Sequence, residues 1–315
     1  MAIITEEMRF RKRLCDFALK HGVTKAARRY HTNRMFVYRQ LEKYDGGVRS
    51  LALRSRRPHS HPNQHRPDEL DLIKHVYGRY NRNGLAEVYV QLKKRGYTRS
   101  YGSMCKQTRR LKNKVVKKRY RTSYRKHKEI RGQSPGDKVQ IDIKYVPQRC
   151  IMFDSHGKRY YQITAIDEYS RKRVLSVVDE KTVTHTKAFL KTLEASLGFK
   201  ITTVQTDNGL EFVNDDSKTD KLTGFEKQLI EMEIEHKRTA PYSPWQNGKV
   251  ERSHKLDNEQ FYDRAEFKSE SDLKKKIKRY NSRYNNIHRK VLNFKNPNQM
   301  VKEYVPKETK VEAIT

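Results

Sequence analysis

At 315 residues the chain exceeds one typical domain and has room for two or three. Its 70 Lys and Arg outnumber 37 Asp and Glu, a net charge of +33 that makes a polyanion, nucleic acid above all, the expected partner. No apolar run approaches the length of a membrane span, MAIITEEMRFRKRL lacks the apolar centre of a signal peptide, and Cys15, Cys105 and Cys150 are too scattered for a disulfide or zinc framework, so an intracellular protein with no membrane partner is expected.

The charge excess sits mainly in residues 1–132, which hold 36 basic and 10 acidic side chains, a net of +26 against +7 for the remainder. The first domain, 1–48, reads as three helices. TEEMRFRKRLCDFALKHG offers Thr5 as N-cap, apolar Met8, Leu14, Phe17 and Ala18, and Gly22 as stop. VTKAARRYH follows with Thr24 as cap, then TNRMFVYRQLEKY with Thr32 or Asn33. This is the order of a helix-turn-helix whose last helix, residues 33–44, enters a major groove and presents Arg34 and Arg39. The competing reading is a small bundle whose arginines only solvate its surface; the Ala26–Ala27 packing pair and the charge favour DNA. Residues 49–66 form a basic linker in which Arg54, Arg56 and Arg57 are placed to follow phosphates or a minor groove. Residues 67–112 repeat the three-helix plan, with Leu70, Ile73, Val76 and Tyr77 and then Leu85, Val88, Tyr89 and Leu92 as apolar stripes. A basic connector, 113–134, is both a solvated linker and a phosphate-tracking arm.

From 135 to 265 the pattern changes. KVQIDIKYV, RYYQITAIDEYS and RKRVLSVVDE read as three strands, THTKAFLKTLEASLG as a helix, KITTVQTD as a strand, TGFEKQLIEME as a helix and IEHKRTA as a strand, the order of a mixed α/β sheet flanked by helices. Asp142 falls in mid-strand, where a charge is costly unless compensated. Asp207 closes the fourth strand before an Asn208–Gly209 turn, and Glu251 is expected two turns into a helix capped by Ser243 and opened by Pro244. Three carboxylates converging on one sheet edge repel one another unless a cation intervenes, and Mg2+ or Mn2+, as two ions ~4 Å apart, suits an oxygen-only ligand set. On a regular helix Glu251, Lys255, Asn258 and Tyr262 share a face, with Val250 and Phe261 turned inward and Gly248 allowing close approach. Lys255 either neutralises a phosphate or pairs with Glu251; Tyr262 or Trp245 could stack on an unpaired base, and Trp245 could equally cover the domain edge. Glu211 is expected to support the Asp207 turn and Asp167 to bond a turn through Ser170 or Arg171, while Asp154, Asp215 and Asp216 read as solvated. The final segment, 266–315, is a basic helix interleaved with tyrosines that suits nucleic acid or a partner chain.

QIDIKYV, VQTDNGLEF and APYSPWQNGKVERSHK resemble, in order, the three motif regions of the integrase-core DDE recombinases; NGKVER and the late YNNIHRKVLNFKNPNQMV look most like bacterial insertion-sequence transposases. The resemblance implies an RNase H-like core behind two all-α helix-turn-helix domains, with Asp142, Asp207 and Glu251 as catalytic residues and ligands of two Mg2+ or Mn2+ ions. It implies metal-dependent cleavage and strand transfer at terminal inverted repeats without a covalent protein intermediate. The implied partner is double-stranded DNA, at element ends and target, bound by a homodimer or larger oligomer in a bacterial cytoplasm. Lys249, Arg252 and Lys255, in the glutamate motif, are the accompanying candidates for DNA contact. Between Asp207 and Glu251 lie 43 residues, about eight more than that family usually has, and the polar stretch VNDDSKTDKLTG absorbs such a surplus at small entropic cost. A DNA-binding regulator that keeps the fold but not the chemistry is the alternative; the presence of all three acids favours the enzyme.

Overall fold

The computed structural model describes residues 4–53, 58, 61–111, 132–214, 219, 221–240 and 243–305, without the side chains of Pro244 and Trp245. Arg54, Arg56 and Arg57, nearly all of the 113–134 connector, Asp215, Asp216, the Trp245 side chain and the last ten residues lie outside the described residues. The chain divides into two compact units, Met1–His65 and Arg66–Thr315.

In the first unit α1 (Glu6–His21) is capped by the Thr5 hydroxyl, which accepts from Met8 N at 3.3 Å, and ends at Gly22, whose φ of 88° suits glycine. Helix α2 (Val23–Arg29) starts directly from Gly22 with no side-chain cap, so the Thr24 cap does not form. Helix α3 (Arg34–Leu41) is capped by the Asn33 carboxamide oxygen, 2.7 Å from Phe36 N. Leu14, Ala18, Ala26, Ala27 and Val37 make the core, the two alanines letting α2 lie close against its neighbours. Buried Arg11 pairs with Glu7 and donates to Leu51 O at 3.3 Å, tying a 3-10 turn (Val48–Leu51) to α1. The outer face of α3 leaves Arg34, Met35, Tyr38 and Arg39 exposed.

The second unit opens with α4 (Pro67–Tyr80), α5 (Leu85–Lys93) and α6 (Tyr101–Arg110) around Ile73, Val76, Val88, Leu92, Tyr97 and Met104. A five-stranded sheet follows, made of β1 (Val139–Tyr145), β2 (Tyr161–Asp167), β3 (Arg173–Val178), β4 (Thr203–Thr206) and β5 (Glu235–Arg238) in the order β3-β2-β1-β4-β5. The first three strands are antiparallel and β4 and β5 run parallel to β1, the RNase H-like arrangement. Strand alternation divides β1: Val139 and Ile141 enter the apolar core with α7 (Val183–Leu197) and α8 (Gly224–Glu231), while Gln140 and Lys144 contact the opposite helical layer. That layer consists of α9 (Gly248–Asp257), a π turn (Asn258–Tyr262) and α10 (Glu270–Asn285); α11 (Pro297–Lys302) follows.

Helix α10 departs from the expected nucleic-acid or partner surface. Leu273, Ile277, Tyr280 and Tyr284 are buried, and the two tyrosine rings lie 4.9 and 3.5 Å from the guanidinium carbon of Arg173 on β3. The core therefore continues past residue 265, because a buried cation on the sheet needs the aromatic faces that α10 supplies.

Candidate active site

Parallel pairing of β1 with β4 aligns Gln140 with Gln205. Asp142 and Asp207 each lie two residues further on, which by strand periodicity puts them level with one another on the face covered by α9. The same two glutamines seat α9. Buried Gln140 accepts through Oε1 from the N–H groups of Lys249 (3.2 Å) and Val250 (3.1 Å), orphan donors of a helix start, and donates through Nε2 to Gln246 O at 2.8 Å. Gln205 donates to Gln246 O and to Asn247 Oδ1, both at 2.9 Å. The strands that carry the aspartates thus hold the turn that carries Glu251.

The local helix differs from the expected one. Pro244–Asn247 wind as a 3-10 turn and the α-helix starts at Gly248, so Glu251 sits in its first turn rather than two turns in, and Asn247 makes no side-chain cap. A Cβ on Gly248 would meet nothing within 4 Å, so no close approach requires that glycine. Gly209, by contrast, has a steric reason: a Cβ there would fall 2.5 Å from the Glu211 carboxylate, which is buried and fixed by Lys181 Nζ at 2.7 Å.

The electrostatics mark a set of interacting acids. Burial, and then the negative charges of Asp207 and Glu251, push the Asp142 carboxyl up to about 7, opposed by Ile143 N–H and Lys181. Asp142 Oδ2 lies 3.3 Å from His254 Nδ1, one helical turn beyond Glu251. His254 Nε2 is 3.1 Å from Thr164 Oγ1, and burial together with the Lys144 cation lowers the imidazole to about 4, so His254 is neutral and orients Asp142 rather than neutralising it. Asp207 Oδ1 accepts from Gly209 N at 3.2 Å. Among the described residues no three His, Cys, Asp or Glu side chains already gather as a cage for an ion. The donor chemistry nevertheless fits a hard divalent cation: carboxylate oxygens at one edge of the sheet, one of them pushed up to about 7 first by burial and then by the other two acids.

Below the acids lies a buried ion network. Arg173, fully buried, donates to Asp257 Oδ1 and Ser253 Oγ, both at 2.6 Å, and Lys144 Nζ is 3.5 Å from Asp257 Oδ2. Burial depresses Lys144 to about 8 despite Asp257. Tyr262 belongs to this network, its hydroxyl donating to Gln162 Oε1 at 2.6 Å and its ring lying 4.7 Å from Lys144 Nζ. A stacking role for Tyr262 is therefore excluded: the π turn adds a residue to the helical period and swings the ring inward. Asp167 bonds Ser170 N, Ser170 Oγ and Gly136 N, the turn role expected of it.

Of the candidate DNA contacts, Arg34, Arg39, Arg252 and Lys255 are exposed. Lys249 is not: only 10% of its side chain is exposed and its Nζ lies 3.0 Å from the Glu168 carboxylate, an internal partner that leaves little of it for a phosphate. Sequence reasoning passed over Gln140, Gln205, Lys181 and His254; polar residues at every second position of QIDIK were the available signal that one face of β1 serves something other than an apolar core. Replacing Gln140 with Leu should cost about 2 kcal/mol, since it strands two helix N–H donors away from water. Urea unfolding checks this, and an unchanged midpoint would refute the role given to Gln140.

An integrase core domain model matches residues 132–244, and a second integrase core domain model matches residues 232–290. "Putative integrase ORF3" of Spiroplasma virus SpV1-C74 is 31% identical over 199 residues, 60% of this chain. The chain spans about half the length of that curated relative, 52%. Among solved structures, a chain of the simian T-cell lymphotropic virus intasome in complex with PP2A regulatory subunit B56 gamma is 19% identical at a TM-score of 0.43, covering 70% of this chain and 74% of its own. The HTLV-2 integrase catalytic core domain in complex with magnesium is 20% identical at a TM-score of 0.40, covering 54% of this chain and 99% of its own. No helix among the described residues is long and apolar enough to cross a membrane.

Proposed function

We propose that this chain, which integrase core domain models match over residues 132–244 and 232–290, is a DNA transposase of that family that binds the terminal repeats of an insertion sequence, cleaves them and joins them to target DNA. The observation that supports the reading is the shared register of Asp142 and Asp207, two residues beyond the paired Gln140 and Gln205, together with the charge of Glu251 acting on Asp142 from the helix those glutamines hold. Asp142, Asp207 and Glu251 are the ligands in this reading. When bound, two magnesium or manganese ions supply a polarised attacking oxygen and a stabilised leaving oxygen. The chain's own residues do the rest. Gln140 and Gln205 fix the start of α9, His254 orients the Asp142 carboxylate, and Lys181, within electrostatic range of both aspartates, offsets part of their charge. Exposed Arg252 and Lys255 lie beside Glu251 for contact with the backbone of the reacting strand.

Residues 1–48 and 67–112 are DNA-reading helical domains in this reading, joined by the 49–66 and 113–134 segments to a core whose boundary we extend from 265 through α10. Arg34 and Arg39, with Met35 and Tyr38 between them, form the reading face of α3. Joining two ends requires at least two copies on DNA. A double Arg34→Ala, Arg39→Ala chain should bind duplexes roughly 10-fold to 100-fold more weakly and show a shallower salt dependence; fluorescence anisotropy across a salt series checks it, and unchanged affinity and slope would remove α3 from the interface. The function itself is tested with the full chain and labelled duplexes that carry the sequences flanking its gene. Cutting that needs Mg2+ or Mn2+ and stops on chelation supports the reading, whereas binding with no cutting in either metal contradicts it.

A further inference from the structure

The α4–α6 helices do not hang from the core by a linker alone. The loop after α10, residues 286–296, reaches back into them at several points. Glu87 on α5 is buried, and one of its oxygens accepts from His288 N at 2.8 Å and lies 2.7 Å from His288 Nδ1. Phe294 inserts between Tyr89 of α5 and Tyr101 of α6, at 5.1 and 5.2 Å between ring centroids, and Lys290 Nζ lies 5.2 Å from the Tyr101 ring. Beside it Arg283 of α10 donates to Asn83 Oδ1 at 2.6 Å, and Gln260 donates to Arg82 O at 3.0 Å.

The loop is shaped for this insertion. Asn293 and Phe294 both have positive φ, 52° and 64°, a left-handed conformation that a bulky side chain adopts only where surrounding contacts compensate. A bridge between Arg289 and Lys295 closes the loop at its base. A left-handed Asn293 cap followed by a strained Phe294, whose ring is seated between two tyrosines, describes a peg and socket. A free linker needs no such strain. The exposed face of α6 meanwhile carries Lys106, Arg109 and Arg110, cationic groups at helical spacing on the side away from Met104 and Thr108.

We propose that the 286–296 loop holds the α4–α6 helices at a fixed offset from Asp142, Asp207 and Glu251, with Phe294 as the positioning residue. DNA gripped along α6 is thereby presented to the acids at one set phosphodiester. This rests on the proposed cleavage function, because an offset has a consequence only where a bond is cut. The interaction is mechanical: Phe294 touches neither acids nor DNA, and its loss alters where a strand is cut more than whether it is held.

Two measurements on the full chain test it. In the first, duplexes with the gene-flanking sequences are cut in Mn2+ and the products sized to single nucleotides. Wild type should cut one bond, Phe294→Ala should spread cutting over several neighbouring bonds with duplex binding retained, and Phe294→Tyr should restore the single product. Equally sharp cutting by Phe294→Ala would overturn the proposal. In the second, spin labels at Lys94→Cys and Glu231→Cys, on a Cys105→Ser background, report the distance between the two parts without any DNA. A single narrow distance that broadens in Phe294→Ala supports the clamp, and a broad distribution with Phe294 intact overturns it. Absence of cutting by wild type would instead count against the cleavage function, and the spin-label result would still decide the clamp.

Discussion

Asp142→Asn is expected to cut DNA roughly a thousand-fold more slowly than wild type, a loss of about 4 kcal/mol in transition-state stabilisation, while folding normally. An asparagine keeps the shape of the aspartate and lacks the charge that a divalent cation needs. The structural consequence has the opposite sign. In the absence of metal the Asp142 carboxylate is disfavoured by its burial and by Asp207 and Glu251, so a neutral amide removes repulsion. Thermal unfolding in a chelator should therefore give Asp142→Asn a melting temperature at or above that of wild type. A variant that loses activity together with stability would point to a structural aspartate, and one that keeps near-normal cutting would remove Asp142 from the reaction.

The second large effect is on stability. Asp257→Ala should destabilise the second unit by about 3–5 kcal/mol, because it leaves a fully buried guanidinium without its carboxylate. Arg173 would keep Ser253 Oγ and the faces of Tyr280 and Tyr284, but no anion, and Lys144 would lose the carboxylate 3.5 Å from its Nζ. The double change Arg173→Met, Asp257→Leu should cost less than Asp257→Ala alone, since an apolar pair of similar volume removes both desolvation penalties. Urea denaturation of the single and double variants measures the difference. A double variant less stable than the single would show that the pair holds the site through more than charge. His254 and Tyr262 contact the same network, so partial loss of the network should also disturb the orientation of Asp142.

The strands and helices of the core were legible because their signals are local. Alternation in KVQIDIKYV and the 3.6-residue stripe of THTKAFLKTLEASLG need no knowledge of the rest of the chain. Asp142 and Asp207 stood out for the same reason, a charge in mid-strand and a carboxylate before an Asn-Gly turn. What the sequence concealed depends on partners far along the chain. Gln140 meets α9 more than a hundred residues later, and the tyrosines of α10 looked like a surface stripe because Arg173, the cation they cover, precedes them by more than a hundred. Tyr262 was misplaced by periodicity itself, since a π turn breaks the 100° step on which its face was assigned. Lys249 looked like its neighbours Arg252 and Lys255 until Glu168 gave it a buried partner.

The most direct measurement of the account is strand joining by the full chain in Mg2+, with pre-cut duplex ends and a separate target plasmid, comparing wild type with Glu251→Gln. Wild type is expected to form the covalently joined product and Glu251→Gln to form none while binding the same ends with the same affinity. Equal joining by the two chains would contradict the assignment of Glu251, and with it the claim that the helix seated by Gln140 and Gln205 completes a metal-dependent site.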